Sequence, residues 1–172
     1  MFERRGQIWV ETVIYTLIAL VLIGSVLAFI VPRIQEIQDK AITDQSVEIL
    51  QNIEEIVSST VVGGAGNKRI VELRIKKGEL TIDGETDKII FSMDSSNEYS
   101  EVGVNVSIGD IVALTEKSGS SNKITLTSNY SAYNITYSDQ DISKTLTSSS
   151  TPYKLSIENK GGSKTVIDFV AS

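Results

Sequence analysis

The chain has 172 residues, a net charge of −6, and neither Cys nor His. That length suits one modest domain plus an appended element. The acidity argues against a nucleic-acid footprint, and the missing Cys and His exclude disulfide staples, His-dependent triads and the usual zinc sites, so neither enzymatic activity nor a cofactor or metal is expected.

The first six residues form a short polar leader containing Arg4 and Arg5. Behind it the chain turns apolar and carries no charge from Thr12 to Pro32. About 20 such residues in a helix span about 30 Å, the thickness of bilayer hydrocarbon. A secretory signal has a shorter apolar core, about 7–15 residues, and then a small-x-small cleavage site. Leu27-Ala28-Phe29-Ile30 is a poor site, so the run is expected to be retained. Arg4 and Arg5 before it and Arg33 after it favour a cytoplasmic N-terminus. A plain membrane anchor explains all of this except Glu11. An unpaired carboxylate costs about 2.5–3.5 kcal/mol at the centre of a membrane helix, and less near an interface. A cut between Gly6 and Gln7 would create an α-amino group four residues from Glu11, on the same helix face. Glu11 would then lie in the first turn, where the helix dipole favours negative charge.

Arg4-Arg5-Gly6 followed by Gln7, with Glu11 fifth after the cut and an apolar helix behind, resembles the class III signal peptide of type IV pilin-like proteins. Gln7 at the first mature position is more similar to archaeal pilins than to bacterial ones. The resemblance covers roughly the first 35 residues, the leader and apolar run. It departs from the common archaeal pattern at Trp9, where Ser is frequent, and at Tyr15, where Leu is frequent. The resemblance implies that a membrane prepilin peptidase cuts after Gly6 on the cytoplasmic side. Gln7 then becomes the mature N-terminus, Glu11 the assembly acid, and the retained helices the core of an extracellular filament. The implied partners are other pilin subunits, the prepilin peptidase and, during export, the cytoplasmic membrane. The residues themselves leave a second reading open: a single-pass membrane-anchored binding module that keeps its leader and does not polymerise.

Within the run, Thr12, Thr16, Leu20, Gly24 and Ala28 recur at i+4, a mostly small stripe that would let helices approach closely. Pro32 is expected to kink the helix or end it. From Ile34 the pattern becomes amphipathic, with Ile34, Ile37, Ala41, Ile42, Ile49, Ile53, Ile56 and Val57 at helical spacing. This neck is the acidic part: Arg33 and Lys40 stand against Glu36, Asp39, Asp44, Glu48, Glu54 and Glu55. The stripe lacks sustained a/d heptads, so docking on a sheet is favoured over a coiled-coil dimer. Gly63-Gly64-Ala65-Gly66 ends the helix. It lacks the context of a phosphate-binding loop.

Beyond Lys68 the chain alternates with a period of two between turn signals. Strands are expected at Val71–Ile75, Glu79–Asp83, Lys88–Met93, Val102–Ile108, Ile111–Leu114, Lys123–Thr127 and Tyr133–Tyr137. A closing hairpin, Tyr153–Glu158 with Thr165–Val170, is expected around Gly161-Gly162. The fold class is therefore α+β, a long N-terminal helix followed by an all-β, sandwich-like domain. The divisions are residues 1–6 (leader), 7–32 (apolar helix), 33–62 (amphipathic helix) and 63–172 (β domain).

Asp83, Glu85 and Asp87 have the first spacings of a calcium loop but lack its Gly at position 6 and Glu at position 12, so a solvated turn is expected. Asp139 and Asp141 form the other acid cluster, and no spacing favours a glycosidase pair. Asn105, Asn129 and Asn134 each begin an Asn-x-Ser/Thr sequon and are candidate N-glycosylation sites on an exported surface protein. Tyr130, Tyr133, Tyr137 and Tyr153 read as half-buried sheet residues, with an adhesive surface as the alternative.

Overall fold

The computed structural model describes the backbone of residues 3–172 and the side chains from Trp9 onward. Helix α1 runs Glu3–Val62. Ten strands follow: β1 (Lys68–Leu73), β2 (Glu79–Asp83), β3 (Lys88–Ser95), β4 (Asn105–Ile108), β5 (Ile111–Ser118), β6 (Ser121–Asn129), β7 (Asn134–Tyr137), β8 (Ser143–Thr147), β9 (Tyr153–Gly161) and β10 (Val166–Ala171). The expected α+β architecture is the one observed. The chain divides into two units, one ending at Gln38 and the other Asp39–Ser172. Residues 39–62 of the helix therefore belong with the sheets.

Pro32 lies inside α1 and does not end it. Its missing N–H deprives one carbonyl, that of Ala28, of a helical donor. A single lost bond in an otherwise continuous apolar helix leaves the element intact.

The β strands form two sheets, with orders β4-β5-β6-β3-β2-β8 and β1-β9-β10-β7. All pairings are antiparallel except β10 with β7. Strand alternation sends one set of side chains to a common core. One rung crosses five strands: Leu146, Leu80, Phe91, Leu126 and Ala113 stand side by side, all buried. In the smaller sheet, Leu155, Ile157, Ile135, Ile167 and Phe169 are buried completely. Val47, Leu50, Ile53 and Val57 of α1 join the same core. Full burial of a Leu or Ile contributes about 1.5–3 kcal/mol relative to exposure. Leu50 and Ile53, at 0% and 1% exposed, are the helix's main anchors.

The helical face that docks is rotated from the isoleucine stripe. Ile34 and Ile37, in the first unit, are exposed, as is Ala41, while Ile42, Ile49 and Ile56 are half-buried. The buried face takes in Thr43, Ser46 and Thr60. Thr43 and Ser46 donate their hydroxyls to the carbonyls of Asp39 (3.0 Å) and Ile42 (2.8 Å), which makes them fit to bury.

The helix ends where the glycines were expected to end it. Gly63 and Gly64 donate to the carbonyls of Ser59 (3.1 Å) and Val61 (3.0 Å), and Gly64 takes φ 80°, the left-handed conformation glycine tolerates. Buried Asn159 on β9 holds this end. Its side-chain amide donates to Thr60 O (3.4 Å), and its backbone pairs with Gly66 (2.7 Å) and Asn67 (2.9 Å).

Two strand expectations change. β8 was not anticipated: of Ser143–Thr147 only Leu146 is buried, and the strand exists by pairing with β2. The Val102–Ile108 alternation yields only the short edge strand β4, with Val104 and Val106 exposed at 42% and 39%. Val106 extends the rung past Ala113, but no strand lies beyond it.

Asp39 is the principal buried charge on the docked helix. It accepts from the Lys77 ammonium and from the Ser96 N–H (2.8 Å) and hydroxyl (2.9 Å). Burial alone would raise its pKa, but the Lys77 and Ser96 hydrogen bonds outweigh burial and hold it below the ordinary value of 3.8. A depressed folded pKa means stability that is complete above the unfolded value and lost as pH falls through the folded one. Asp39→Asn should therefore lower unfolding free energy by about 1–3 kcal/mol at pH 7. It should also flatten the loss of stability below pH 4. Denaturant melts at pH 7 and pH 3 check both.

Candidate assembly helix

Every large apolar side chain from Trp9 to Val31 is exposed, Trp9 and Phe29 by 72% each. The most apolar 18-residue window has mean hydropathy 2.7 and no buried residue. By length and composition this segment could cross a membrane. Two of its hydroxyls bond to the helix's own carbonyls. Thr16 donates to Thr12 O (2.8 Å) and Ser25 to Val21 O (2.7 Å), so neither hydroxyl needs water. Arg33, the first charge after the run, pairs with Glu36 at 2.8 Å.

Gly6 and Gln7 precede Trp9 and lie outside the residues whose side chains are described. Glu11 is exposed on the helix, one residue before the uncharged run. Among the described residues it makes no salt bridge. Thr12, Thr16, Gly24 and Ala28 are exposed on α1 with Leu20 between them. At 100° per residue each i+4 step advances 40° around the axis. The stripe is therefore a ridge oblique to the helix, inclined by about 26°. A helix partner that crosses at an angle meets such a ridge better than a parallel one. A Cβ at Gly24 would meet no atom within 4 Å.

The sequons are accessible to different degrees. Asn105 and Asn129 are exposed, at the start of β4 and the end of β6, and Asn134 at the start of β7 is half-buried. Asn129 Oδ1 accepts from Ser131 N (2.9 Å), and the Asn134 amide donates to Asp141 (3.2 Å).

The acid clusters serve turns. Asp83 accepts from Glu85 N (3.1 Å) and the Thr86 hydroxyl (2.5 Å). Asp87, at φ 52°, accepts from Ile135 N and from Lys164, both at 2.8 Å, which ties the β2–β3 turn to β7 and the β9–β10 turn. Asp139 pairs with Lys160 at 3.2 Å. Among the described residues no three His, Cys, Asp or Glu gather where a metal ion could sit. Tyr130 is buried, and Tyr133, Tyr137 and Tyr153 pack half-buried against the core.

One constellation has no signal in the sequence. Glu54 of α1 and Asp110, between β4 and β5, line one cleft. Burial, then the Asp110 carboxyl, raises the Glu54 pKa. Ser128 and Tyr130 join them around a cleft. These residues stand far apart along the chain, so no spacing could announce them.

Because a Cβ at Gly24 would meet no atom within 4 Å, Gly24→Leu should leave the melting of the Asp39–Ser172 unit within about 0.5 kcal/mol of the parent in detergent. A larger change in the denaturant midpoint would show that Gly24 has an intramolecular partner. In comparisons with protein-family models, with curated proteins and with solved structures, nothing matches this chain.

Proposed function

We propose that this chain is the precursor of a structural subunit of an extracellular type IV pilus-like filament, of the archaeal kind that its first residues resemble. The leader is removed after Gly6, the apolar helix serves first as a membrane anchor, and it then packs with other copies as a filament core. The β domain is displayed outward for adhesion or surface contact, with the exposed sequons Asn105 and Asn129 available for glycans. The precursor sits in the cytoplasmic membrane with its N-terminus in the cytoplasm.

The observation that carries the reading is an apolar helix exposed along its whole length, with one carboxylate, Glu11, that no described residue pairs. Exposed to water, the side chains from Trp9 to Val31 would forfeit roughly 20 kcal/mol or more, at about 1.5 kcal/mol each. They demand lipid or other apolar helices. Lipid alone leaves Glu11 at a cost of about 2.5–3.5 kcal/mol if it lies deep. A neighbouring helix that begins with the Gln7 ammonium removes that cost and fixes the axial register between subunits. Affinity then comes from apolar packing and register from one ion pair, a division that matches the ridge of small residues.

N-terminal mass spectrometry of the cell-surface form should show residues 1–6 removed. Glu11→Ala should insert in the membrane like the parent yet yield no filaments by negative-stain microscopy. An intact Met1 with filaments absent from the parent would favour the anchored, non-polymerising module. Normal filaments from Glu11→Ala would remove the register role.

A further inference from the structure

The two sheets end in four edge strands, β4 and β8 in the larger sheet and β1 and β7 in the smaller. An unpaired edge presents free N–H and C=O groups that template another strand, and proteins block it with charge, Pro, bulges or cover. Three of these edges are blocked. β1 carries Lys68, Arg69 and Glu72, and β8 carries Lys144. β7 is covered: Ile135 and Thr136 are buried, and the Ile135 N–H donates to Asp87 at 2.8 Å. β4 has neither charge nor Pro nor cover, and its one protection is its length of four residues. The stretch 102–109 is uncharged, and the residues from Gly103 to Ser107 are all exposed.

The hairpin geometry locates the free groups. The two-residue turn Gly109-Asp110 joins the pair Ile108 and Ile111, with Gly109 at φ 62°. Hydrogen-bonded and non-hydrogen-bonded pairs alternate away from that turn. Ile108 and Val106 therefore bond to β5, while the N–H and C=O groups of Asn105 and Ser107 point away from it. Side chains alternate as well. Val106, 39% exposed, stands beside buried Ala113 at the end of the core-facing rung, with Ile108 on the same face and Val104 two residues before it. Val104-Asn105-Val106-Ser107-Ile108 thus has the same pattern in both directions, aliphatic residues alternating with uncharged polar ones about Val106. A strand that is symmetric about its centre is complementary to its own reversed copy.

We propose that β4 pairs antiparallel with β4 of a second copy of this chain, about a two-fold axis at Val106. This register sets Asn105 of each copy opposite Ser107 of the other, so every outward N–H and C=O of the strand is used. Val106 meets its own equivalent in a non-hydrogen-bonded pair, where opposing side chains stand closest. Val104 of each copy meets Ile108 of the other, and the core-facing rung that ends at Val106 continues into its counterpart. The two six-stranded sheets become one continuous sheet. The contact is small beside a standard interface of about 1,600 Å², so it is weak between two copies and strengthens where many copies are arrayed. It does not rest on the filament reading. An isologous contact closes on two copies, so in a filament it would join one filament to another and lengthen neither.

The chain has no Cys, so a single introduced Cys reports the contact without background. Full-length Val106→Cys and Thr145→Cys place it on the edge strands β4 and β8, at residues that are both exposed. Both are made without glycosylation, because Asn105 lies within the contact, and are oxidised with diamide in the same excess of detergent micelles. Association through the apolar helix then acts on both alike. Opposed Cβ atoms at about 4.5–5.5 Å need only a small movement to reach disulfide geometry. Val106→Cys should form the disulfide dimer at least about tenfold faster than Thr145→Cys. Ser107→Pro removes one outward N–H and spares the β4–β5 ladder, as Pro does on an edge strand. Added to Val106→Cys, it should lower the rate to that of Thr145→Cys with the circular dichroism spectrum unchanged. Where Ser107→Pro alters the spectrum, Asn105→Pro removes the other outward N–H and should act in the same way. Equal rates for the two cysteines, or an excess at Val106→Cys that survives the folded Pro variant, overturn the proposal.

Discussion

The side chains of α1 need two different surroundings, and the rest of the protein follows from how that conflict is resolved along the sequence. From Trp9 to Val31 apolar groups point in every direction, and none is buried. A helix apolar all round cannot satisfy itself against one sheet, because only a third or so of its surface could be covered. From Asp39 the same helix has one buried face and one solvated face, which a sheet can cover. The β strands are thus needed by the second half of the helix alone. The first half needs apolar surroundings that these sheets do not supply.

Where docking begins, the contact is polar. Asp39 brings together Lys77, which precedes β2, and Ser96, which follows β3. Net hydrogen-bond energies are modest, but a buried carboxylate stripped of its partners costs more than the pair contributes. Such a contact specifies position: an apolar stripe can slide by a turn, whereas Asp39 has its donors in one place only. At the other end Asn159 holds the Thr60 carbonyl. Apolar contacts between these two polar ends, Leu50 and Ile53 foremost, supply the greater part of the stability, and the polar ends set the register.

Much of this was legible in the sequence, and the failures share a cause. The apolar run, the glycine stop after Val62 and the strands with clean alternation report backbone geometry and local burial, which a sequence encodes directly. β8 was illegible because Ser143–Thr147 carries one apolar residue and becomes a strand only by pairing with β2. The Val102–Ile108 alternation was legible but misleading, since period two reveals an extended backbone and says nothing of whether a neighbour covers it. The isoleucine stripe misplaced the docked face because Thr43 and Ser46 satisfy their own hydroxyls and can be buried at little cost. The Glu54 cleft was invisible because its lining comes from three separated segments. The roles proposed for Gly6, Gln7 and Glu11 rest on their spacing in the sequence alone.

Glu11 and the Glu54–Asp110 pair are carboxylates that no described cation pairs, yet their surroundings differ. Were the apolar segment around Glu11 surrounded by lipid, a free cation would have to leave water to reach it, so another polypeptide would be the readier source of a countercharge. A carboxylate in that setting selects a partner by position, and the energy at stake grows as water is excluded. The Glu54 cleft is lined by polar and apolar groups together, Val57 and Tyr133 among them, and there a shared proton can relieve the repulsion between Glu54 and Asp110.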